Sequence, residues 1–350
     1  MRFISFLCLL MSGITLAAPE VTTKTITDGL EHPWGVAPLP DGRFLVTERP
    51  GYITLVERDG AKTRLTGVPE ITAERQGGAL GITLDPDFEK NQTFYACLVI
   101  ADASGATSSE IHKGQLKGAQ WVNVKPIVIA QPKDKSGFHF GCRLAFAEDD
   151  SLYVGLGDRW VGMEKTQDLD NHYGKVLRVT KDGNPHPQNP YLDSAVPEVF
   201  SIGHRNIQGM AWHSKYSQMW AHEHGPKGGD EINILRAGAN YGWPTITYGV
   251  NYNGTPITDK TKQEGLEQPL HYYVPSIAPS GMAFYKDDLL MGSLKFRYLN
   301  YVELKEGKVV AEHELLKDLD ARIRDVVVHN EQVFVVTDEV NGRLLEIVFQ

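Results

Sequence analysis

Cysteine, positive charge, long apolar runs and helical periodicity are all scarce in this chain, and each shortage removes a class of answer. Three cysteines in 350 residues are too few for a disulfide scaffold. Cys8 lies in an N-terminal apolar segment. Cys97 and Cys142 each sit in an apolar strand-like run, and a buried thiol pair is expected over a disulfide, an alternative left open because the sequence does not say whether the two meet. Acidic residues outnumber basic ones 44 to 35, a formal net charge of -9, so there is no basic field to attract nucleic acid. The longest apolar run, about a dozen residues within "MRFISFLCLLMSGITLAA", is too short to cross a hydrocarbon core of about 30 Å as a helix. With one positive charge before the run and small residues after it, residues 1–18 have the layout of a cleaved secretory signal. The expectation is a mature chain starting near Ala18, residues 19–350 forming one domain without a membrane span, and a periplasmic location.

What the chain has in abundance is one repeated phrase: a small polar lead-in, a strand-like run, a tight turn and a second strand-like run. Six copies are readable, among them "WGVAPLPDGRFLVTE", "CRLAFAEDDSLYVGLGD" and "SGMAFYKDDLLMGSL". Taking Gly35, Gly81, Arg143, Gly209, Gly281 and Arg324 as equivalent points gives spacings of 46, 62, 66, 72 and 43 residues. Four short strands fit the smallest spacing. Runs rich in Val, Ile, Phe and Tyr, with almost no amphipathic helical pattern, therefore predict an all-β, six-bladed β-propeller of four-stranded antiparallel blades. The wider spacings hold loops rich in Pro, Gly and Asn, residues 181–198 and 247–269. The stretch "VTTKTITDGL" is expected to close the ring against "GRLLEIVFQ".

In such a blade the innermost strand starts on the same face where the second strand ends, so polar residues at those two places converge. At the starts stand Gln76, His139, Arg205 with Asn206, Ser280, and Arg322 with Arg324. At the ends stand Glu48 with Arg49, Asp158 with Arg159, residues 222–231, and Lys295 with Arg297. Loop solvation would supply small polar residues of mixed kinds. Arginines and lysines concentrated in an acidic protein instead predict a cationic cavity for an anionic ligand.

The stretch "HEHGPKGGDEI", starting at His222, is not the zinc-protease pattern, which needs histidines four apart on a helix that Gly-Pro forbids. His222 and His224 could share a strand face for a softer metal, but no third nitrogen or sulfur ligand is evident. Calcium, which takes roughly six to eight oxygen ligands, suits the stretch better. Gly225 is expected to adopt unusual backbone angles, Pro226 keeps a free carbonyl, and Glu231 adds a carboxylate. A glycine-rich loop with solvated acids is the competing reading.

The motifs "GGALGITLDPDF", "FHFGCRLAF", "LYVGLGDR", "GHRNIQGMAW", "HEHGPKGGDEINIL", "GANYGWP", "PSGMAFY", "GSLKFR" and "RIRDV" run in order along nearly the whole mature chain. Together they resemble the soluble quinoprotein aldose sugar dehydrogenases, relatives of soluble glucose dehydrogenase. The resemblance implies a propeller holding pyrroloquinoline quinone (PQQ) and calcium, which oxidises the C1 hydroxyl of aldoses to lactones and hands electrons to an external acceptor. It implies that His139 removes the hydroxyl proton, that Asp158 orients or polarises His139, and that Gln76 holds sugar or quinone. Arg205, Asn206, Lys295, Arg322 and Arg324 match cofactor-binding positions, while Arg49 and Arg297 are each either a further contact or an ordinary surface arginine. One calcium would contact the carbonyls of Gly225 and Pro226. A second would use Glu231 and the carbonyl of Tyr241, although the loop "PTITYGVNYNG" lacks the further aspartate that related enzymes use. The insertion after "GDR" is short, which predicts an open cavity and broad aldose acceptance, with Trp160 placed either to stack on a sugar or to anchor the loop.

Two other readings compete: a calcium-dependent propeller lactonase or other hydrolase, and a non-catalytic carbohydrate-binding propeller. The first calls for a carboxylate-rich cavity, and the second for loss of the His139, Gln76 and Lys295 set. No Cys-x-x-Cys-His haem signature is present. Monomer and homodimer are equally compatible with the sequence.

Overall fold

A computed structural model describes residues 18–350; the expected signal segment, apart from Ala18, lies outside the described residues. The described residues form six four-stranded antiparallel sheets. The innermost strands, Pro33–Pro38, Ala79–Leu84, Gly141–Phe146, Ile207–His213, Pro279–Tyr285 and Ile323–His329, pack side by side around one axis. The turn cores fall where the repeated phrase puts them, between first and second strands. Residues 181–198 and 247–269 form no strand. No helix among the described residues is long and apolar enough to cross a membrane.

Closure follows the expected route. Val21–Leu30 pairs antiparallel with Gly342–Phe349 and becomes the outermost strand of the sixth blade. Apolar side chains from neighbouring blades fill the spaces between sheets. One such cluster joins Trp34, Leu80, Tyr95, Cys97, Phe140 and Cys142. The thiol expectation is overturned here: Cys97, on the second strand of blade two, is disulfide-bonded to Cys142, on the inner strand of blade three. The two residues are 45 apart in sequence but share one inter-blade seam.

Each inner hairpin slips register near its start, at Pro33/Gly35, Ala79/Ile82, Gly141/Arg143, Ile207/Gly209, Pro279/Met282 and Ile323/Asp325. The sixth equivalent point is therefore Asp325, one residue beyond Arg324, which is the extra residue of the bulge. The equivalence explains the glycines. A Cβ on Gly81 would lie 2.2 Å from the Cys142 carbonyl oxygen, and one on Gly281 would lie 1.9 Å from Asp325 Oδ1. Neighbouring inner strands approach too closely there for a side chain.

Two outcomes follow. Replacing both Cys97 and Cys142 by alanine removes a cross-link between blades and should cost about 2–4 kcal/mol, read as a lower Tm that reductant no longer changes. Gly281→Ala should cost about 1–3 kcal/mol through overpacking, again read as a fall in Tm.

Candidate active site

A cavity of about 1030 Å³ opens at the axis, on the face where inner strands start and second strands end. Of the expected residues, Gln76, Asn206, Gly225, Pro226, Lys295, Arg322 and Arg324 line it. Seven basic side chains border it, adding Arg49, Arg75, Lys227 and Arg297, against one carboxylate, Asp338. A protein of net charge -9 thus concentrates positive charge at its hub.

These cations are incompletely neutralised. Arg322 takes the lone carboxylate, with Nη2 3.2 Å from Asp338 Oδ2. Arg297 turns outward to Asp320 at 3.0 Å. The Lys295 ammonium sits 4.8 Å from the Phe296 ring centroid and has no ion-pair partner among the described residues. Arg324 donates from Nη2 to Gln208 Oε1 at 3.0 Å, and its buried Nε has no partner. Burial, then the nearby Arg143 guanidinium, pulls Arg324 down to about 9. An orphaned donor on a crowded, buried cation fits a ligand bearing several carboxylates.

Behind the wall lies a His–Asp pair. His139 precedes the inner strand of blade three and Asp158 follows its second strand. His139 Nδ1 donates to Asp158 Oδ1 at 2.7 Å. Asp158 also accepts from Trp160 N at 2.8 Å and from Trp243 Nε1 at 2.9 Å. Burial opposes its charge, but hydrogen bonds led by His139 outweigh it and hold the carboxyl below its ordinary value. An ionised acceptor at Nδ1 keeps the proton on that nitrogen and leaves Nε2 bare. Burial also lowers the His139 value, so the neutral imidazole prevails at ordinary pH. Gln76, on the cavity wall, accepts the His139 backbone N–H at 2.8 Å and so joins the pair to the cavity. A Cβ on Gly157 would lie 2.1 Å from the His139 carbonyl oxygen, so only glycine lets the two loops meet.

Three rim expectations fail, and in each the polar atoms are spent on the fold. Ser280 is fully buried, with Oγ donating to the Ile323 carbonyl. Glu48 is buried against Thr54 Oγ1 and Glu31 N. Arg159 clamps the Thr107 carbonyl at 2.7 Å and Asp134 at 3.1 Å. Arg205 likewise stands behind the wall. Its Nη1 donates to the carbonyls of His224 and Gly225, both at 2.8 Å, and shapes the loop whose Gly225 and Pro226 face the cavity. Gly225 has no left-handed φ; glycine is needed there because a Cβ would lie 2.3 Å from Gly229. His222 is fully buried with both ring nitrogens unpartnered, and His224 Nε2 bonds the Pro279 carbonyl. No group of three or more His, Cys, Asp or Glu side chains is arranged for a metal among the described residues.

Glu231 and Tyr241 do converge. With Glu223, Thr247 and Gly225 they border a small void of about 10 Å³, near the size of one water sphere. Glu223 and Glu231 face each other as register partners on adjacent strands. Burial, then the Glu223 charge, pushes Glu231 well above the usual carboxylate range. Glu223 is the carboxylate that reading the 244–254 loop did not find. The only sequence signal for it is its place at the end of the strand that pairs with Glu231. Two carboxylates, Glu223 buried and Glu231 half-buried, and backbone oxygens around an ion-sized space fit a hard cation.

The family described as glucose/sorbosone dehydrogenase matches residues 30–346. The aldose sugar dehydrogenase YliI of Escherichia coli K12 is 35% identical over 362 residues, covering 99% of this chain and 97% of its own length. A solved glucose dehydrogenase superposes with a TM-score of 0.91 at 39% identity, covering 94% of this chain and all (100%) of the other. The PQQ-bound form of an aldose sugar dehydrogenase from Streptomyces coelicolor superposes with a TM-score of 0.80 at 30% identity, covering 95% of this chain and 100% of the other.

The His–Asp geometry makes a spectroscopic prediction. In a proton NMR titration the His139 ring should titrate below its ordinary value of about 6.5, because burial disfavours the imidazolium. Asp158→Asn removes the charge that supports the imidazolium and should move that midpoint lower still.

Proposed function

The chain belongs to the glucose/sorbosone dehydrogenase family, and from that premise we propose that this oxidoreductase oxidises the C1 hydroxyl of aldose sugars to lactones with PQQ as cofactor. The observation that carries this reading is the cavity's charge, seven basic side chains against one carboxylate already held by Arg322. A tricarboxylate cofactor answers that imbalance. Lys295, Arg322, Arg324 and Asn206 would hold it, with Arg205 acting from behind through the 224–225 carbonyls. When bound, the cofactor supplies an ortho-quinone that accepts hydride.

The chain's own part is to hold the sugar and move one proton. His139 Nε2, bare because Nδ1–H is committed to Asp158, takes the proton of the C1 hydroxyl as hydride leaves C1, so the sugar loses two electrons and becomes a lactone. Asp158 keeps the tautomer and stabilises the imidazolium formed. Gln76 fixes the His139 backbone and presents its remaining amide to the cavity. Electrons then leave to an external acceptor.

Calcium would occupy two places. The Gly225 and Pro226 carbonyls suit an ion beside the cofactor, where it would act as a Lewis acid; the Gly225 oxygen would share Arg205. Glu231, Glu223 and Tyr241 suit a structural ion. A hydrolase centred on calcium would need carboxylates in the cavity, where only Asp338 stands. The inter-blade disulfide favours an oxidising compartment such as the periplasm.

Reconstitution tests the proposal. Apo-protein given PQQ and calcium should show the oxidised cofactor spectrum, and glucose or another aldose should bleach it. An unchanged spectrum across several aldoses, with the cofactor demonstrably bound, would overturn the reading. His139→Asn should bind the cofactor normally while bleaching about 10²–10⁴-fold more slowly. Calcium should raise the apo-protein Tm, and Glu231→Gln should abolish most of that rise.

A further inference from the structure

Four of the six equivalent points on the inner strands are glycines, Gly35, Gly81, Gly209 and Gly281. The exceptions are Arg143 in blade three and Asp325 in blade six, and they bond to each other, with Nη1 2.7 Å from Oδ1. Two blades lie between them on either side, which in a six-bladed ring places them on opposite sides of the axis. Both are buried. Arg143 thus spans the hub directly beneath the cofactor cavity.

Its remaining donors are also committed. Nε donates to the Gln208 carbonyl and Nη2 to the Arg324 carbonyl at 3.2 Å. Gln208 and Arg324 are both cavity residues. The guanidinium carbons of Arg143 and Arg324 lie 4.0 and 4.3 Å from the Trp34 ring centroid. Two buried guanidinium groups therefore share one tryptophan, and of the two carboxylates acting on Arg324, Arg143 holds Asp325 while Arg322 and His32 hold Asp338. Asp325 is fixed further by Val36 N–H at 3.1 Å. Arg324 is left with an amide oxygen and an orphaned Nε.

We infer that Arg143 is a positioning residue for cofactor affinity: by occupying Asp325 across the axis, it keeps the adjacent Arg324 from forming an ion pair and so available to an anionic ligand above. Without Arg143, Asp325 would be a buried carboxylate whose nearest remaining cation is Arg324. Pairing the two would neutralise the cavity floor. Burial, then crowding by Arg143, already depresses Arg324 to about 9, in keeping with a cation held short of partners.

This inference rests on the PQQ reading, and its test separates the two. PQQ uptake by apo-protein is titrated by fluorescence quenching for wild type, Arg143→Met, Asp325→Asn and the double variant, with thermal melts of each apo-protein. Arg143→Met should weaken binding at least tenfold. Adding Asp325→Asn should recover most of that loss, which general damage to the fold would not do. Asp325→Asn alone should bind at least as tightly as wild type, with a lower apo Tm and a larger rise in Tm on loading. A folded Arg143→Met protein of wild-type affinity, or a double variant no better than Arg143→Met, overturns the inference. If Arg143→Met does not fold, a tenfold weakening in Asp325→Asn overturns it instead. Benzene-1,3,5-tricarboxylate titrated in parallel should follow the same order. If it does while wild type takes up no PQQ, the cofactor reading fails and the charge arrangement stands.

Discussion

Antiparallel pairing of Val21–Thr25 with Leu345–Phe349 turns a row of six sheets into a ring, and only a ring has an axis. Everything specific to this protein is built on that closure. It draws six inner strands together until three of their equivalent points, Gly81, Gly209 and Gly281, exclude a side chain. It also turns the starts of inner strands and the ends of second strands into one rim, so residues as distant in sequence as Gln76 and Arg324 border a single cavity. An open sheet would leave the same residues along an edge, where water would screen them.

Collecting cations at a hub is unfavourable for the empty protein. A buried guanidinium without a counter-charge destabilises the fold, and the hub holds Arg324 with one donor nitrogen orphaned. The arrangement persists because inter-blade packing and the Cys97–Cys142 bond hold the blades independently of the hub. Asp338 is the one carboxylate on the cavity wall and Arg322 holds it, so a polyanion entering the cavity would relieve the unpaired charge of Arg324. High affinity for such a ligand and reduced stability without it would then be two consequences of one charge distribution.

Blade number, closing strand and turn positions were legible in the sequence because each depends on neighbours in the chain: a strand, a tight turn, a returning strand. The His139–Asp158 pair was legible only through the resemblance to a known family, since 19 residues separate the two. What escaped depends on contacts between blades. Cys97 and Cys142 meet across a seam that no local pattern marks. Glu223 opposes Glu231 because two strands adopt a particular register. Arg143 and Asp325 face each other across the axis, and the bulge that makes Asp325 the register point shifts it one residue from where repeat spacing put it. Ser280, Glu48 and Arg159 had rim-like positions, but charge and polarity do not reveal whether a side chain turns to the cavity or to the nearest backbone carbonyl.

The segment after Asp158 shows how the same economy supports the chemistry. His139, Arg159 and Trp160 hold left-handed φ angles of 47°, 57° and 66°, a strained conformation that persists only where the surroundings enforce it. Enforcement comes from beneath. Lys175 is fully buried and donates to the carbonyls of Lys165, Thr166 and Tyr173, tying three points of this loop to one nitrogen. Thr166 and Gln167 in turn bond the Trp243 carbonyl, and the Trp243 indole donates to Asp158. The insertion that reads as short and open is thus stapled on its inner side, while Trp160, 51% exposed, projects from its outer side with its ring 5.1 Å from that of His139. A loop built this way leaves the cavity mouth accessible without loosening the imidazole: access is set by the exposed aromatic residues, and the position of the ring by the buried chain from Lys175 to His139.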